Sequence, residues 1–276
     1  MIDRQPSDRG RLPRISGVVS DLDGTILRSD GTLSRSTMRL LHAVQRIGIP
    51  LTVATARTPR AVQKVIGHER LGRMVCANGA IVWDALSDKV IRESCFDPVT
   101  LPAAVGRLRE SLPAAGLAFL SSRTMFLDAT YLSLRGKKAD GAVVVSDVDD
   151  ILAGHGIVMV AVRHPWLAAD QIVAPAAEAF ADIGVVSFSG LDVVDITPND
   201  VTKATAVAAE MADAGCPGQE TVVFGDMPND LPLFAWSGWA CAVANGHPSV
   251  LAAADEIVPS NDEAGVALTV HRLLGL

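Results

Sequence analysis

Three short apolar runs that each stop on a polar, reactive residue constrain this chain more than any other feature. Ile15 to Ser20 ends on Asp21, Pro50 to Ala54 ends on Thr55, and Glu220 to Gly225 ends on Asp226. Runs of four to six apolar residues bounded by turn residues read as buried strands. Each is joined to a helical pattern. Met38, Leu41, Val44 and Ile47 recur at helical spacing over residues 35–47, where Ser34 or Ser36 can cap. A second helix opens at Pro59, and a third spans 201–214. With a further strand at 73–77, this rhythm predicts parallel strands in one twisted sheet, crossed by helices. Ala, Val and Leu dominate a chain that is 49% apolar but only 4% aromatic, which suits such a sheet buried on both faces.

Between about Val82 and Pro198 the pattern changes to strand-turn-strand signals mixed with helices. Helices are predicted at 101–112 and 167–181, and strands at 156–162, 184–188 and 191–196. A span of this length can form its own domain. The expected organisation is therefore α/β: a Rossmann-like, doubly wound parallel core over 15–82 and 197–276, an inserted α+β cap over 83–196, and a flexible tail over 1–14. Later strands are expected near 239–243 and 256–258, with a closing helix at 263–273.

Charge narrows the chemistry. The formal net charge is −7, and no Lys/Arg-rich run interleaved with aromatics occurs, which argues against nucleic-acid binding. An acidic chain that handles an anion needs a metal, a few placed cations or helix N-termini to neutralise it locally. Cys76, Cys95, Cys216 and Cys241 are widely spaced without a Cys-x-x-Cys pair, and read as buried free thiols. No apolar run approaches the roughly 18 residues needed to cross a bilayer, so a cytoplasmic location without membrane contact is expected.

Ligands of an open parallel sheet bind beyond the carboxyl ends of its strands, where Asp21, Thr55 and Asp226 all fall. Asp21 and Asp23 would repel each other unless a proton or a hard cation intervened, and oxygen ligands with retained water suit Mg2+. The alternative is a pair of Asx turns before Gly24. Asp226 and Asp230 can complete an acidic bay, within Gly225-Asp226-Met227-Pro228-Asn229-Asp230. Against a phosphate ester, one aspartate can attack phosphorus while a second carboxylic acid protonates the leaving oxygen and later activates water. Thr55 can donate its hydroxyl to a phosphate oxygen, and the backbone N–H groups that follow, starting at Ala56, open a helix whose dipole favours anions. Arg57 can reach an anionic substrate or form a surface salt bridge. Lys203, in a first helical turn where a cation is disfavoured without an anion nearby, can hold both the aspartate and the phosphoryl group; a solvated lysine is the alternative.

These elements, in this order, resemble the haloacid dehalogenase-like superfamily: Asp21-Leu22-Asp23-Gly24-Thr25, then Thr55-Ala56-Arg57, Lys203, and Gly225 to Asp230. Asn78-Gly79-Ala80, Ala242 to Gly246 and Ser260 to Ala267 are similar to its Cof-type branch, which has a type IIB cap. The resemblance implies Asp21 as nucleophile and metal ligand, Asp23 as general acid/base and main-chain metal ligand, and Asp226 as third metal ligand. It implies that Thr55 and Lys203 bind phosphate, that Asp230 supports the metal and that Asn229 borders the substrate. Asn78 and Gly79 belong to the supporting set. Two positions depart from the family pattern, Ala204 where glycine is common and Gly246 where alanine is frequent, and neither removes a reacting group.

The expected activity is Mg2+-dependent hydrolysis of a small phosphorylated metabolite, a sugar, nucleotide or cofactor phosphate. A sugar phosphomutase using the same intermediate and a non-catalytic phosphometabolite sensor are the alternatives. Arg123, Tyr131, Arg135, Lys137, Lys138 and His155 are the cap side chains that could reach such a ligand, unless they are solvated surface groups.

Overall fold

The computed structural model describes residues 14–67, 71–135, 141–152 and 154–276. The expected tail lies outside these residues except for Arg14, as do Lys137 and Lys138.

The first part of the chain runs β1 (Gly17–Ser20), α1 (Arg35–Arg46), β2 (Leu51–Ala54), α2 (Pro59–Ile66), β3 (Arg73–Cys76), β4 (Ile81–Asp84) and β5 (Lys89–Glu93). The middle part runs α3 (Leu101–Ser111), β6 (Gly116–Leu120), β7 (Met125–Leu127), α4 (Ala129–Arg135), β8 (Val143–Val144), α5 (Asp149–Leu152), β9 (Met159–Arg163), α6 (Ala169–Ala179), β10 (Gly184–Gly190) and β11 (Val193–Pro198). The last part contributes α7 (Lys203–Asp213), β12 (Thr221–Gly225), α8 (Leu231–Trp236), β13 (Trp239–Val243), α9 (Pro248–Ala253), β14 (Glu256–Val258) and α10 (Gly265–Leu274).

Two sheets result. The larger has eight strands in the order β14-β13-β12-β1-β2-β3-β4-β5, parallel from β14 to β3 and antiparallel across β3-β4-β5. Alternation along each strand feeds two apolar layers. Val18, Val53 and Val222 pack with Leu41 and Val44 of α1 and with Val266 and Val270 of α10. Val19, Ala54 and Val223, one residue further along, pack with Val207 and Met211 of α7, Leu233 and Phe234 of α8, and Val250 of α9. The sheet is thus covered on both faces, as its near-continuous apolar strands require. Ser34 is the residue that caps α1, its Oγ accepting the Thr37 N–H at 3.0 Å.

The smaller sheet, inserted between β5 and α7, has six strands in the order β10-β11-β9-β6-β7-β8, antiparallel except between β7 and β8. One face buries Leu117, Phe119, Val160, Val162, Val194 and Ile196 under α3 and α6. The opposite face carries Ala118, Leu120, Met159, Ala161 and Asp195, and is turned toward the carboxyl edge of the large sheet. This is an α/β fold with a separate, inserted mixed-sheet cap. Sheet membership differs from the expected limits at both crossings: β4 and β5 extend the large sheet to Glu93 rather than to residue 82, and β11 keeps the small sheet going through Pro198. The change of pattern at Val82 marks a switch from parallel to antiparallel pairing, not a change of sheet.

Candidate active site

Asp21 follows β1 directly, and its N–H donates to the Phe224 carbonyl of β12 at 2.9 Å, which pins it at the sheet's carboxyl edge. The chain then makes a wide turn over Leu22–Ile26. Gly24 sits there at φ +73°, and a Cβ on it would run into the Asp226 carboxylate. Only glycine meets both demands. Thr25 Oγ1 donates to Asp226 Oδ1 at 2.7 Å, joining the first motif to the last.

Lys203 is the first residue of α7, whose Thr202 cap accepts from the Thr205 N–H. Its side chain is fully buried and its Nζ donates to Asp21 Oδ1 at 2.5 Å and Asp230 Oδ1 at 2.8 Å. Asp230 is held from its other oxygen by the N–H groups of Asp226 (3.1 Å) and Met227 (3.2 Å). Gly225 permits this, since a Cβ there would strike the Asp230 side chain.

Asp21, Asp226 and Asp230 each offer a carboxylate oxygen within 4.8 Å of the others. Three carboxylates against one lysine leave an excess of negative charge in a buried place. Burial pushes the Asp21 carboxyl well above its ordinary range; the Lys203 charge opposes this, and Asp230 and Asp226 add to it. Burial, then the Asp230 charge, push Asp226 up to about 7. Burial works against the Lys203 charge, but Asp21 and Asp230 outweigh it and raise its pKa above that of an ordinary lysine. Both Asp230 oxygens are committed to protein donors, whereas Asp21 Oδ2 and Asp226 Oδ2 have none among the described residues. The donor set therefore fits a hard divalent cation held by Asp21 and Asp226, with Asp230 supporting.

The carboxylate of Asp23, the expected general acid/base, is not part of this cluster. It takes a two-pronged bond from Arg57, Nε to Oδ2 at 2.7 Å and Nη2 to Oδ1 at 2.6 Å. Separation of like charges explains this: the planar guanidinium draws Asp23 out of an already acidic cluster. Arg57 thus forms a salt bridge that is partly open to solvent and lies on the cavity wall. Thr55 is buried, and its Oγ1 accepts the Arg57 N–H at 3.1 Å, which leaves its own proton available. Thr55, Ala56 and Arg57 line one cavity with Asp21 and Asp23.

Asn78 and Gly79, in the turn after β3, form a second ring of contacts. Asn78 Nδ2 donates to Asp195 Oδ2 of β11 at 3.0 Å, and its Oδ1 accepts from Asn229 Nδ2 at 3.0 Å. Ser189 Oγ also donates to Asp195 Oδ2, at 2.6 Å. Burial raises the Asp195 carboxyl, and the Ser189 and Asn78 donors oppose that. Asn229 Oδ1 is buried without a partner among the described residues.

The cavity measures about 410 Å3 and lies between the carboxyl edge and the cap. Its cap wall is Leu120, Met125, Met159, Ala161 and Val193, with Tyr131, Arg135, Arg163, Ser189 and Asp195 as the polar groups. Arg163, Ser189 and Asp195 were not expected here. Arg163 ends β9 on the Met159-Ala161 face, reaches Asp192, lies over the Tyr131 ring at 5.7 Å, and keeps a buried Nε without a partner among the described residues. The period-two pattern of 159–163 held the signal for it. Ser189 and Asp195 depend on the β10-β11 register, which a single strand's pattern does not reveal. Of the cap candidates, Tyr131 and Arg135 line this cavity, Arg123 lines a neighbouring one, and His155 packs against the Phe126 ring. Cys76, Cys216 and Cys241 are buried free thiols, but Cys95 is exposed.

A parallel sheet with a lysine-bridged carboxylate cluster at its carboxyl edge, roofed by an inserted mixed-sheet cap, defines the class: a capped α/β hydrolase. The chain belongs to the haloacid dehalogenase-like hydrolase family, which it matches over residues 18–270. Among curated relatives, it is 25% identical over 291 residues to the chloroplastic endoribonuclease YBEY of Arabidopsis thaliana, covering 98% of this chain but 49% of that protein, so the chain spans about half its length. It is also 25% identical to the phosphatase MG265 of Mycoplasma genitalium, over 84% of this chain and 88% of that one. Among solved structures, SMU.1108c of Streptococcus mutans superposes with a TM-score of 0.85 at 20% identity, covering 95% of this chain and 100% of that one. The subclass IIB sugar phosphatase BT4131 gives 0.78 at 18% identity, covering 94% and 99%. The inserted mixed-sheet cap thus has the fold of these neighbours. No helix among the described residues is long and apolar enough to cross a membrane.

Proposed function

We propose that the chain is a Mg2+-dependent phosphatase that hydrolyses a small phosphate monoester through an aspartyl-phosphate on Asp21. The observation that carries this reading is the buried Asp21-Lys203-Asp230 bridge with Asp226 beside it. Asp21 offers one oxygen to Lys203 and keeps the other for attack or metal binding. Mg2+ between Asp21 and Asp226 would offset the carboxylate charge and that of the phosphoryl oxygens.

The chain's own groups then divide the work. Lys203 holds Asp21 in place and supplies positive charge toward the transferring phosphoryl group. Thr55 donates its hydroxyl, and the Ala56 N–H follows it at the same wall. Asp23 delivers a proton to the leaving oxygen and later takes one from water. Both its oxygens accept from Arg57 in this state, so one of those bonds is exchanged for the leaving oxygen when substrate enters. The cap wall covers the reacting centre and keeps bulk water away.

The name of the Arabidopsis relative describes a protein twice as long, and nothing in the site favours RNA. The phosphatase names of the other relatives agree with the carboxylate chemistry. A screen of phosphate release from sugar, nucleotide and cofactor phosphates, with Mg2+ and with a chelator, tests the proposal. Metal-dependent release without an isomerised sugar phosphate is expected. Isomerisation without release would point to the mutase, and release that persists under chelation would refute the metal's role.

A further inference from the structure

Next to the catalytic cavity lies a second recess of about 210 Å3, which shares Arg57, Thr58, Ala61, Met125 and Arg135 with it. Among the described residues, its lining includes five cations, Arg57, Arg60, Lys64, Arg123 and Arg135, and no carboxylate. The whole chain has 31 acidic residues against 24 Lys and Arg, so this local excess runs against its overall balance.

Four segments build the recess. Arg57, Arg60 and Lys64 recur at the three- and four-residue spacing that puts side chains on one face of α2 and its leading turn. Arg123 stands on the β6-β7 turn, which is pinned because Ser121 Oγ accepts the Arg123 and Thr124 N–H groups at 3.3 and 2.9 Å. Arg135 closes α4, its Nη1 resting on the Met125 sulfur at 3.3 Å. The Arg60 guanidinium lies against Gly141, whose Cβ, if present, would be 3.0 Å from it. Among the described residues, Arg60, Arg123 and Arg135 make no ion pair with a carboxylate. Arg57 is already paired with Asp23, but the guanidinium groups of Arg60, Arg123 and Arg135 repel one another, and a cleft lined by one sign focuses its field on an incoming anion. Guanidinium forks match phosphate oxygens in geometry as well as charge.

We propose that this recess binds a second phosphate of the substrate, so that the favoured substrates are small bisphosphates with one phosphoryl group at Asp21 and the other among Arg60, Arg123 and Arg135. The inference rests on the phosphatase reading for the first group only. At ~30 Å3 per water, the recess has room for a phosphate with some of its hydration. Such a substrate would pass from one cavity to the other along the Thr58-Ala61 wall, with Arg57 between the two phosphates.

Matched pairs test this: a hexose 6-phosphate against the 1,6-bisphosphate, and a nucleoside 5′-monophosphate against the 3′,5′-bisphosphate. Binding is measured by calorimetry on the Asp21→Asn chain with Mg2+, and turnover on the unmodified chain. At least one bisphosphate is expected to bind about tenfold or more tightly than its partner, a gain in line with charge-assisted contacts. In Arg60→Ser/Arg123→Ser that ratio is expected to fall to about threefold or less. Both positions are exposed, so the fold should persist, and circular dichroism checks this. Equal binding in both pairs, or a preference that survives the double substitution, overturns the second site. Absence of phosphate release from every compound counts against the phosphatase reading, while the calorimetric ratio still decides the recess.

Discussion

At the scale of single residues, charge balance governs the site. Lys203 is buried between two carboxylates, so Lys203→Met leaves Asp21 and Asp230 without their cation. Breaking a buried pair of this kind costs on the order of 3–5 kcal/mol. Equilibrium denaturation in chelator is expected to show a loss of that size, and added Mg2+ to restore part of it. Asp226 makes a pH prediction of definite sign. Its carboxyl stands at about 7 in the metal-free fold, against about 3.9 in an unfolded chain. Its contribution to metal-free stability is therefore present below about pH 4 and is lost as pH rises through about 7, by up to about 1.4 kcal/mol per unit. In chelator, Tm is expected to fall between about pH 5 and pH 8. Mg2+ should raise Tm more at the upper value, where protons no longer compete for the ligand oxygen. A Mg2+ effect that is larger at the acidic end would contradict this.

At the scale of elements, α7 must be held in place for Lys203 to work. Glu210, one side of α7 and nearly inaccessible, accepts from Arg73 of β3 at 3.1 Å and Arg92 of β5 at 3.2 Å. Glu210→Ala is expected to lower stability by about 1 kcal/mol, because both arginines are half exposed and return to water. A lower urea midpoint with an unchanged slope would report it. The helices and core strands were legible because their patterns are local. Apolar spacing marks α1, Pro59 starts α2, and the runs ending on Asp21, Thr55 and Asp226 have no other reading as strongly periodic. The β4-β5 hairpin was not legible as part of the core, since Lys89–Glu93 forms an exposed edge with little apolar signal. The short cap pieces β7, β8, α4 and α5 were missed because elements of two to seven residues are too short to show a period. In the site, Lys203, Asp21 and Asp226 could be read from motif chemistry. The Arg57 hold on Asp23 could not, because it depends on the path of two loops and on charge crowding nearby.

At the scale of the whole molecule, Asn78 ties cap to core. It adopts φ +51°, a region asparagine tolerates better than most residues, and bonds to Asp195 of the cap and Asn229 of the core. Asn78→Ala removes both bonds, each worth about 1 kcal/mol or more when buried, and should lower kcat/KM by about tenfold. Mg2+ affinity by calorimetry should change little, since Asn78 touches none of Asp21, Asp226 and Asp230; a parallel loss of metal binding would contradict its role between cap and core. The two departures from the family pattern fit this frame. Ala204 packs beside the apolar layer under α7, and Gly246 lies where a Cβ would come within 3.0 Å of the Val243 carbonyl.

The central claim is that Asp21 forms a bond to phosphorus. It is tested most directly by rapid acid quench of the chain turning over a phosphate-labelled ester, followed by peptide mapping of the protein-bound label. The label is expected on the peptide that carries Asp21, only when Mg2+ is present, and absent from Asp21→Asn, which should keep its fold but lose turnover by about a thousandfold or more. Label on another residue, or turnover in Asp21→Asn within tenfold of the unmodified chain, would contradict it.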